Sequence, residues 1–128
     1  MPAAASQTIA EYLNALESGS AGAVLALFAP GAVVYSPLYG QQPAAEFYPA
    51  LFADSSSSRI EPLNAFQSLP PALAGAAYFR YHWTLANGQL VVFDCVDIFQ
   101  FNDQGLITDL RIIYDASETR RALSELKG

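Results

Sequence analysis

One carboxylate stands inside an apolar stripe. In QLVVFDCVDIFQFN, residues 89–102, the alternate positions Val91, Phe93, Cys95, Phe99 and Phe101 are apolar, and Asp97 falls among them. Successive side chains of a strand point to opposite faces, so these residues share one face. An ionised carboxylate against phenylalanines is costly unless it is paired. Asp97 is therefore either partnered or held neutral with a raised pKa. A neutral carboxylic acid donates a hydrogen bond, which is the tool needed to polarise a ligand carbonyl or to bind a phenolate. The chain has a single histidine, His82, whose ordinary pKa suits a base near neutral pH. Cys95 is read as a small buried hydrophobe rather than a nucleophile, since no base of its own is evident beyond His82. Asp94, Asp103, Asp109 and Asp115 read as surface or turn residues.

The elements that must position these groups can be read along the chain. Ile9, Tyr12, Leu13 and Leu16 recur at helical spacing, and Thr8 with Glu11 resembles a capping box. Ser18-Gly19-Ser20 ends that helix, and a short second one follows. Pro30-Gly31 reads as a turn, AVVYS as a strand stopped by Pro37, and residues 43–53 as a third helix. Pro49 must lie in its first turn or kink it. Asp54 and the four serines after it read as a flexible loop. Residues 59–67 form a strand that Pro62 demotes to an edge or a bulge. Three longer strands follow, AAYFRYHWTL, QLVVFDCVDIFQF and LITDLRIIY, and residues 117–126 form a terminal helix. Helices first and a strand meander after predict an α+β domain spanning residues 1–128: a curved antiparallel sheet wrapped by N-terminal helices, cone-shaped, with an internal apolar pocket.

Asn87-Gly88 between two strands signals a two-residue hairpin turn. That turn sets Thr84 opposite Val91, His82 opposite Phe93, Arg80 opposite Cys95 and Tyr78 opposite Asp97. Tyr78, Arg80 and His82 are then expected on the Asp97 face. Phe79, Tyr81, Trp83 and Leu85 are expected on the other, where they would suit an oligomer contact. This register leaves Asp97 two roles. It donates to a ligand oxygen, or it is a structural partner of Arg80 or Tyr78.

Composition narrows the field. The chain has 128 residues, 52% of them hydrophobic and 14% charged, with eight Phe, seven Tyr and one Trp. A net charge of −6 with six scattered Lys and Arg argues against nucleic acid or an anionic membrane as partner. One cysteine excludes an internal disulfide and suits a reducing compartment. No signal peptide or membrane span is evident, so a cytoplasmic location is expected. One His and one Cys do not make a metal site. No phosphate loop or dinucleotide fingerprint is present, so neither metal nor cofactor is expected.

The chain resembles the nuclear-transport-factor-2-like superfamily, in its ketosteroid isomerase and SnoaL-like branch. The resemblance is carried in order by YLNALESGSAGAVLALFAPGAVVYSP, EFY and VDIFQFNDQGLITDLRIIY. It implies a curved sheet wrapped by helices around a deep apolar pocket. Ketosteroid isomerases are known to pair an aspartate base with an oxyanion hole built from a tyrosine and a protonated aspartic acid. By resemblance, Tyr12 matches that tyrosine, Asp97 the acid and Tyr48 a supporting tyrosine. Tyr114 and Arg80 fall at pocket-lining positions, and Phe93 and Phe99 are expected to line the pocket from the Asp97 face. The departure is Ser36, which stands before Pro37 where the isomerases carry the base. A serine cannot abstract a carbon-bound proton at neutral pH without a base of its own, which leaves His82 as the substitute. Limonene-epoxide-hydrolase-like members carry an arginine two residues before the first aspartate, and that position is Cys95 here. The inward positions of the last strand, Leu110, Ile112 and Tyr114, supply no second carboxylate.

Three functions follow as expectations. The first is an isomerase or lyase acting on a small apolar carbonyl compound through Tyr12 and Asp97. The second is a module that binds an apolar or phenolic ligand without chemistry. The third is a structural homodimerisation domain whose pocket is plugged by Arg80, Tyr35 and phenylalanines. A homodimer is expected in each case.

Overall fold

The structure, a computed structural model, describes residues 3–128. Helix α1 (Ala3–Ser18) carries the expected stripe, and Ile9, Tyr12, Leu13 and Leu16 are all buried. It starts well before Thr8, so Thr8 and Glu11 lie within the helix and form no cap. Gly19, at φ 74°, ends it with its amide on the Leu16 carbonyl. Ser20 then caps α2 (Ala21–Leu25) by accepting from the Ala23 amide at 3.1 Å.

Strand β1 (Phe28–Ser36) is longer than AVVYS alone. Pro30-Gly31 is not a turn between elements but an irregularity inside the strand, where Gly31 takes φ 78° and the register against the neighbouring strand shifts. The short β2 (Gly40–Pro43) folds back on β1, and α3 (Ala44–Ala53) follows. Pro49 sits beyond the first turn of α3, where it withholds one backbone donor.

Strand β3 (Ser55–Gln67) absorbs the serines that were expected to be a loop. Ser55 pairs with Leu85 and Ser58 with Trp83. Backbone pairing carries this polar stretch, and it can, because β3 lies at the sheet edge. The strand order is β2-β1-β6-β5-β4-β3. The register shifts between Pro62 and Asn64, the place for a proline without a ladder donor. β4 (Ala74–Leu85), β5 (Leu90–Phe101) and β6 (Ile107–Ile113) form the meander, and α4 (Ser117–Lys127) closes the chain. The result is the expected α+β layout: an open, curved six-stranded sheet wrapped by N-terminal helices. All neighbours run antiparallel except β1 and β6, which are parallel.

The β4–β5 turn departs from expectation. Leu85 donates its amide to the Gln89 carbonyl at 2.8 Å, and Gly88 donates to Leu85 at 2.9 Å. Gly88 has φ 90°, and no residue other than glycine takes a positive φ among those described. A two-residue turn of the expected type needs positive φ at both central residues. A loop of Ala86, Asn87 and Gly88 needs it only at the glycine. The extra residue moves the register by one. Ala77 lies opposite Asp97, Phe79 opposite Cys95, Tyr81 opposite Phe93 and Trp83 opposite Val91. A shift of one residue exchanges the faces of a strand. Phe79, Tyr81, Trp83 and Leu85 are buried on the inner face, while Tyr78, Arg80 and His82 stand on the outer one.

Candidate functional site

A cavity lies between the inner face of the sheet and the helices. β5 contributes Phe93, Cys95 and Asp97, and β6 with the residue after it contributes Ile112 and Tyr114. β4 adds Phe79, Tyr81 and Trp83. Tyr12 and Leu16 cover it from α1, Phe47 and Leu51 from α3, and Ser36, Leu38 and Tyr39 from the end of β1 and its turn. The space open to the centre of a water-sized sphere is about 40 Å³. The β5 stripe read from the sequence faces inward as expected, with Asp97 only 1% exposed.

Asp97 has no cation beside it among the described residues. Arg80, the alternative partner, is on the outer face and binds Asp94 at 2.8 Å. Tyr78 is on the outer face too. The recorded bond to Asp97 is from the Cys95 thiol, which donates to Oδ1 at 3.2 Å. Burial pushes the Asp97 carboxyl up to about 7, against a small opposing pull from that thiol. Asp97 lines the cavity, and no described side chain bonds its Oδ2. Cys95 is no nucleophile: burial first, then the nearby Asp97 charge, drives its thiol far above the usual range.

The Tyr12 and Tyr48 hydroxyls are 2.7 Å apart and both buried. Burial raises both well above the usual phenol value, so both stay protonated. Tyr12 lines the cavity and Tyr48 lies behind it. Either hydroxyl can donate in this pair. When Tyr48 donates, the Tyr12 proton is left free for an acceptor in the cavity that Tyr12 lines. Phe99, fully buried, does not line the cavity. It packs edge-on against Tyr12 with centroids 5.2 Å apart, which fixes the Tyr12 ring.

Ser36 lines the cavity, and its oxygen accepts the amides of Leu38 and Tyr39, each at 3.0 Å. Those bonds occupy both lone pairs of the hydroxyl. Tyr114 stacks on Phe93 with centroids 4.3 Å apart. Its hydroxyl is 3.2 Å from Thr119 Oγ1, whose own proton goes to the Ala116 carbonyl, so Tyr114 is the donor. Burial pushes the Tyr114 phenol up to about 12. Tyr39 donates to Asp54 at 2.7 Å, and Lys127 of α4 takes the other oxygen of Asp54 at 2.7 Å.

The structure thus brings Tyr12, Ser36, Phe93, Asp97 and Tyr114 to one cavity, with Tyr48 and Phe99 behind Tyr12. It removes His82, Tyr78 and Arg80 from it. His82 sits against Arg59 at 2.9 Å and Glu61 at 3.3 Å on the outer face, and cannot serve as base in the cavity. Phe79, Tyr81 and Trp83 were missed as cavity residues. The signal for them was present: in β4 they form the more apolar of the alternating sets. Tyr35, expected as a plug, is outside under the Arg111 guanidinium, 4.2 Å from its ring centroid. No group of three or more His, Cys, Asp or Glu side chains converges among the described residues, and no described helix is long and apolar enough to cross a membrane.

A SnoaL-like domain model matches residues 9–110. A steroid Δ-isomerase from Nocardioides simplex is 31% identical over 120 residues, covering 89% of this chain and 92% of that one. Two solved structures share the fold. SalBIII, described as an epoxide hydrolase/cyclase-like enzyme of pyran ring formation in salinomycin, aligns with TM-score 0.75 at 19% identity, covering 86% of this chain and 89% of that one. An NTF2-like protein of unknown function from Burkholderia pseudomallei aligns with TM-score 0.76 at 19% identity, covering 92% of this chain and 95% of that one.

Proposed function

Because the chain belongs to the SnoaL-like family of the nuclear-transport-factor-2-like superfamily, we propose that it binds a small apolar carbonyl compound and stabilises its enol or enolate form. Asp97 and Tyr12 donate to the ligand oxygen, and Tyr48 orients Tyr12. The observation that carries this reading is the buried Asp97 carboxyl in the cavity wall, with no cation beside it among the described residues and a pKa pushed up to about 7. Preorganised donors at the place where negative charge develops are the strongest means of lowering such a barrier. The 31% identical steroid isomerase supports an isomerase-type reaction. Phenols mimic an enolate oxygen, so titration of the protein with phenols of graded acidity tests the site. Wild type binds them with a shift in phenol absorbance, and Asp97→Leu, which has no side-chain donor, loses the preference for the more acidic ones. Equal binding by both proteins, or by neither, contradicts the reading.

One observation favours a second reading, a module that binds without chemistry. Ser36 holds two amides on its oxygen, His82 is outside, and Asp97 is the one cavity group near neutrality, so the described wall lacks a separate base. A β,γ-unsaturated cyclic ketone separates the readings, because the conjugated product is followed by its ultraviolet absorbance. Conversion supports the isomerase, and binding without conversion supports the module.

We also propose a second copy of the chain as partner. The outer face of the sheet exposes Leu90, Val92, Ile98 and Ile113, an apolar surface of the kind that contacts cover. Sedimentation of wild type against Val92→Lys tests this: a dimer that the substitution splits supports it, and a monomeric wild type refutes it.

A further inference from the structure

We propose that Ser36 is a hydrogen-bond donor to a second oxygen of the ligand, so that the cavity selects compounds with acceptors on opposite sides of a single ring. This rests on the reading of Asp97 and Tyr12 as donors to the first oxygen.

The serine hydroxyl has two lone pairs and one proton. The Leu38 and Tyr39 amides take the lone pairs, and no described residue accepts the proton. Ser36 lines the cavity, so what it can offer a ligand there is its O–H. The position therefore donates a hydrogen bond and takes up no proton.

The sheet sets the distance. β1 and β6 pair with Tyr35 opposite Arg111, which puts the next residue, Ser36, level with Ile112. Ile112 in turn pairs with Asp97 on β5. Ser36, Ile112 and Asp97 lie on one rung, and all three side chains line the cavity. Two strand spacings separate the ends of this rung by roughly 10 Å. A hydrogen bond of about 2.8 Å at each end leaves roughly 4–6 Å between the ligand's acceptors. That is the separation of para-related oxygens across one six-membered ring, with Ile112 beneath the ring and Phe93 and Tyr114 stacked beside it.

The spacing of the two donors, set by the rung, defines the preferred ligand. The substrate class is a monocyclic 1,4-oxygenated compound, of the hydroxycyclohexenone or methoxyphenol type.

The test uses 4-methoxyphenol and 4-ethylphenol, isosteres of nearly equal acidity that differ in one acceptor oxygen. Affinities come from quenching of Trp83 fluorescence, and the ratio of the pair is read within each protein. Wild type is expected to prefer the methoxy compound about fivefold, the effect of one ordinary hydrogen bond. Ser36→Ala is expected to bring the ratio to one. Ser36→Asp keeps an acceptor for both amides while removing the donor, and is also expected to lose the preference. This variant guards against a result that reflects only a disturbed turn. A ratio of one in wild type, or a preference that survives both substitutions, overturns the proposal while leaving the Asp97 reading intact. Failure of wild type to bind either phenol overturns both.

Discussion

Arg80 and Asp97 stand on opposite faces of the sheet, Arg80 tied to Asp94 at 2.8 Å outside and Asp97 buried at the cavity inside. The cation that could have kept Asp97 ionised is absent from its surroundings. The carboxyl responds to burial by holding its proton to about pH 7.

Stability should therefore depend on Asp97 in a defined direction. Its folded pKa of about 7 lies above the ordinary 3.8, so between those values the folded state binds more protons than the unfolded one. The contribution is fully present below about pH 4 and is lost as pH rises through 7. At about 1.4 kcal/mol per pH unit, the loss is on the order of 4 kcal/mol. Asp97→Asn, which is neutral at every pH, should raise stability at pH 8 and lose that advantage near pH 4. Urea unfolding of both proteins at the two pH values measures this.

The hydroxyl pair of Tyr12 and Tyr48 predicts non-additive mutants. Tyr12→Phe should lower turnover, or phenol affinity if there is no turnover, by about 100-fold, as expected for loss of one oxyanion donor worth roughly 3 kcal/mol. It also leaves the Tyr48 hydroxyl buried without its partner, at a stability cost of about 1–3 kcal/mol. Adding Tyr48→Phe should recover part of that stability but none of the function. A double-mutant cycle read by melting and by ligand titration separates the effects.

The outer-face residues predict a negative result. Arg80→Ala and His82→Ala should leave phenol affinity and any turnover at the wild-type level, because neither side chain reaches the cavity. A large loss of function in His82→Ala with the fold intact would restore it as a base.

Asp54 joins the cavity-lining Tyr39 to Lys127 of the terminal helix. Asp54→Ala leaves the Tyr39 hydroxyl without its acceptor and releases α4, and should destabilise by about 1–3 kcal/mol. Lys127→Ala should cost less, since the ammonium is largely in water. Faster amide exchange in α4 is the expected signature in both variants, confined to α4 in Lys127→Ala.

Much of this arrangement is legible in the sequence where one local rule suffices. The α1 stripe, the inward β5 stripe with Asp97, and the edge position marked by Pro62 follow from periodicity and backbone chemistry. The β4 face does not follow from the turn alone. Asn87-Gly88 reads as a two-residue loop, but Ala86 joins it, and one residue exchanges every side chain between faces. Here the hydrophobic pattern was the better guide: Phe79, Tyr81, Trp83 and Leu85 are plainly the core set against Tyr78, Arg80, His82 and Thr84. The serines after Asp54 looked like a loop because their side chains carry no strand signal, and only their neighbours on β4 make them one. The Tyr39–Asp54–Lys127 contact joins segments far apart in the chain, and no local pattern announces it.

The proposed role of Asp97 requires a buried acid that is neutral below pH 7 and donates into the cavity. Carbon-detected NMR of the aspartate carboxyls, with Asp97 assigned by comparison with Asp97→Asn, measures its protonation directly. A midpoint near pH 7 is expected, with the resonance that of the protonated acid at pH 5. A midpoint near 4, with Asp97 ionised at pH 5, would contradict it.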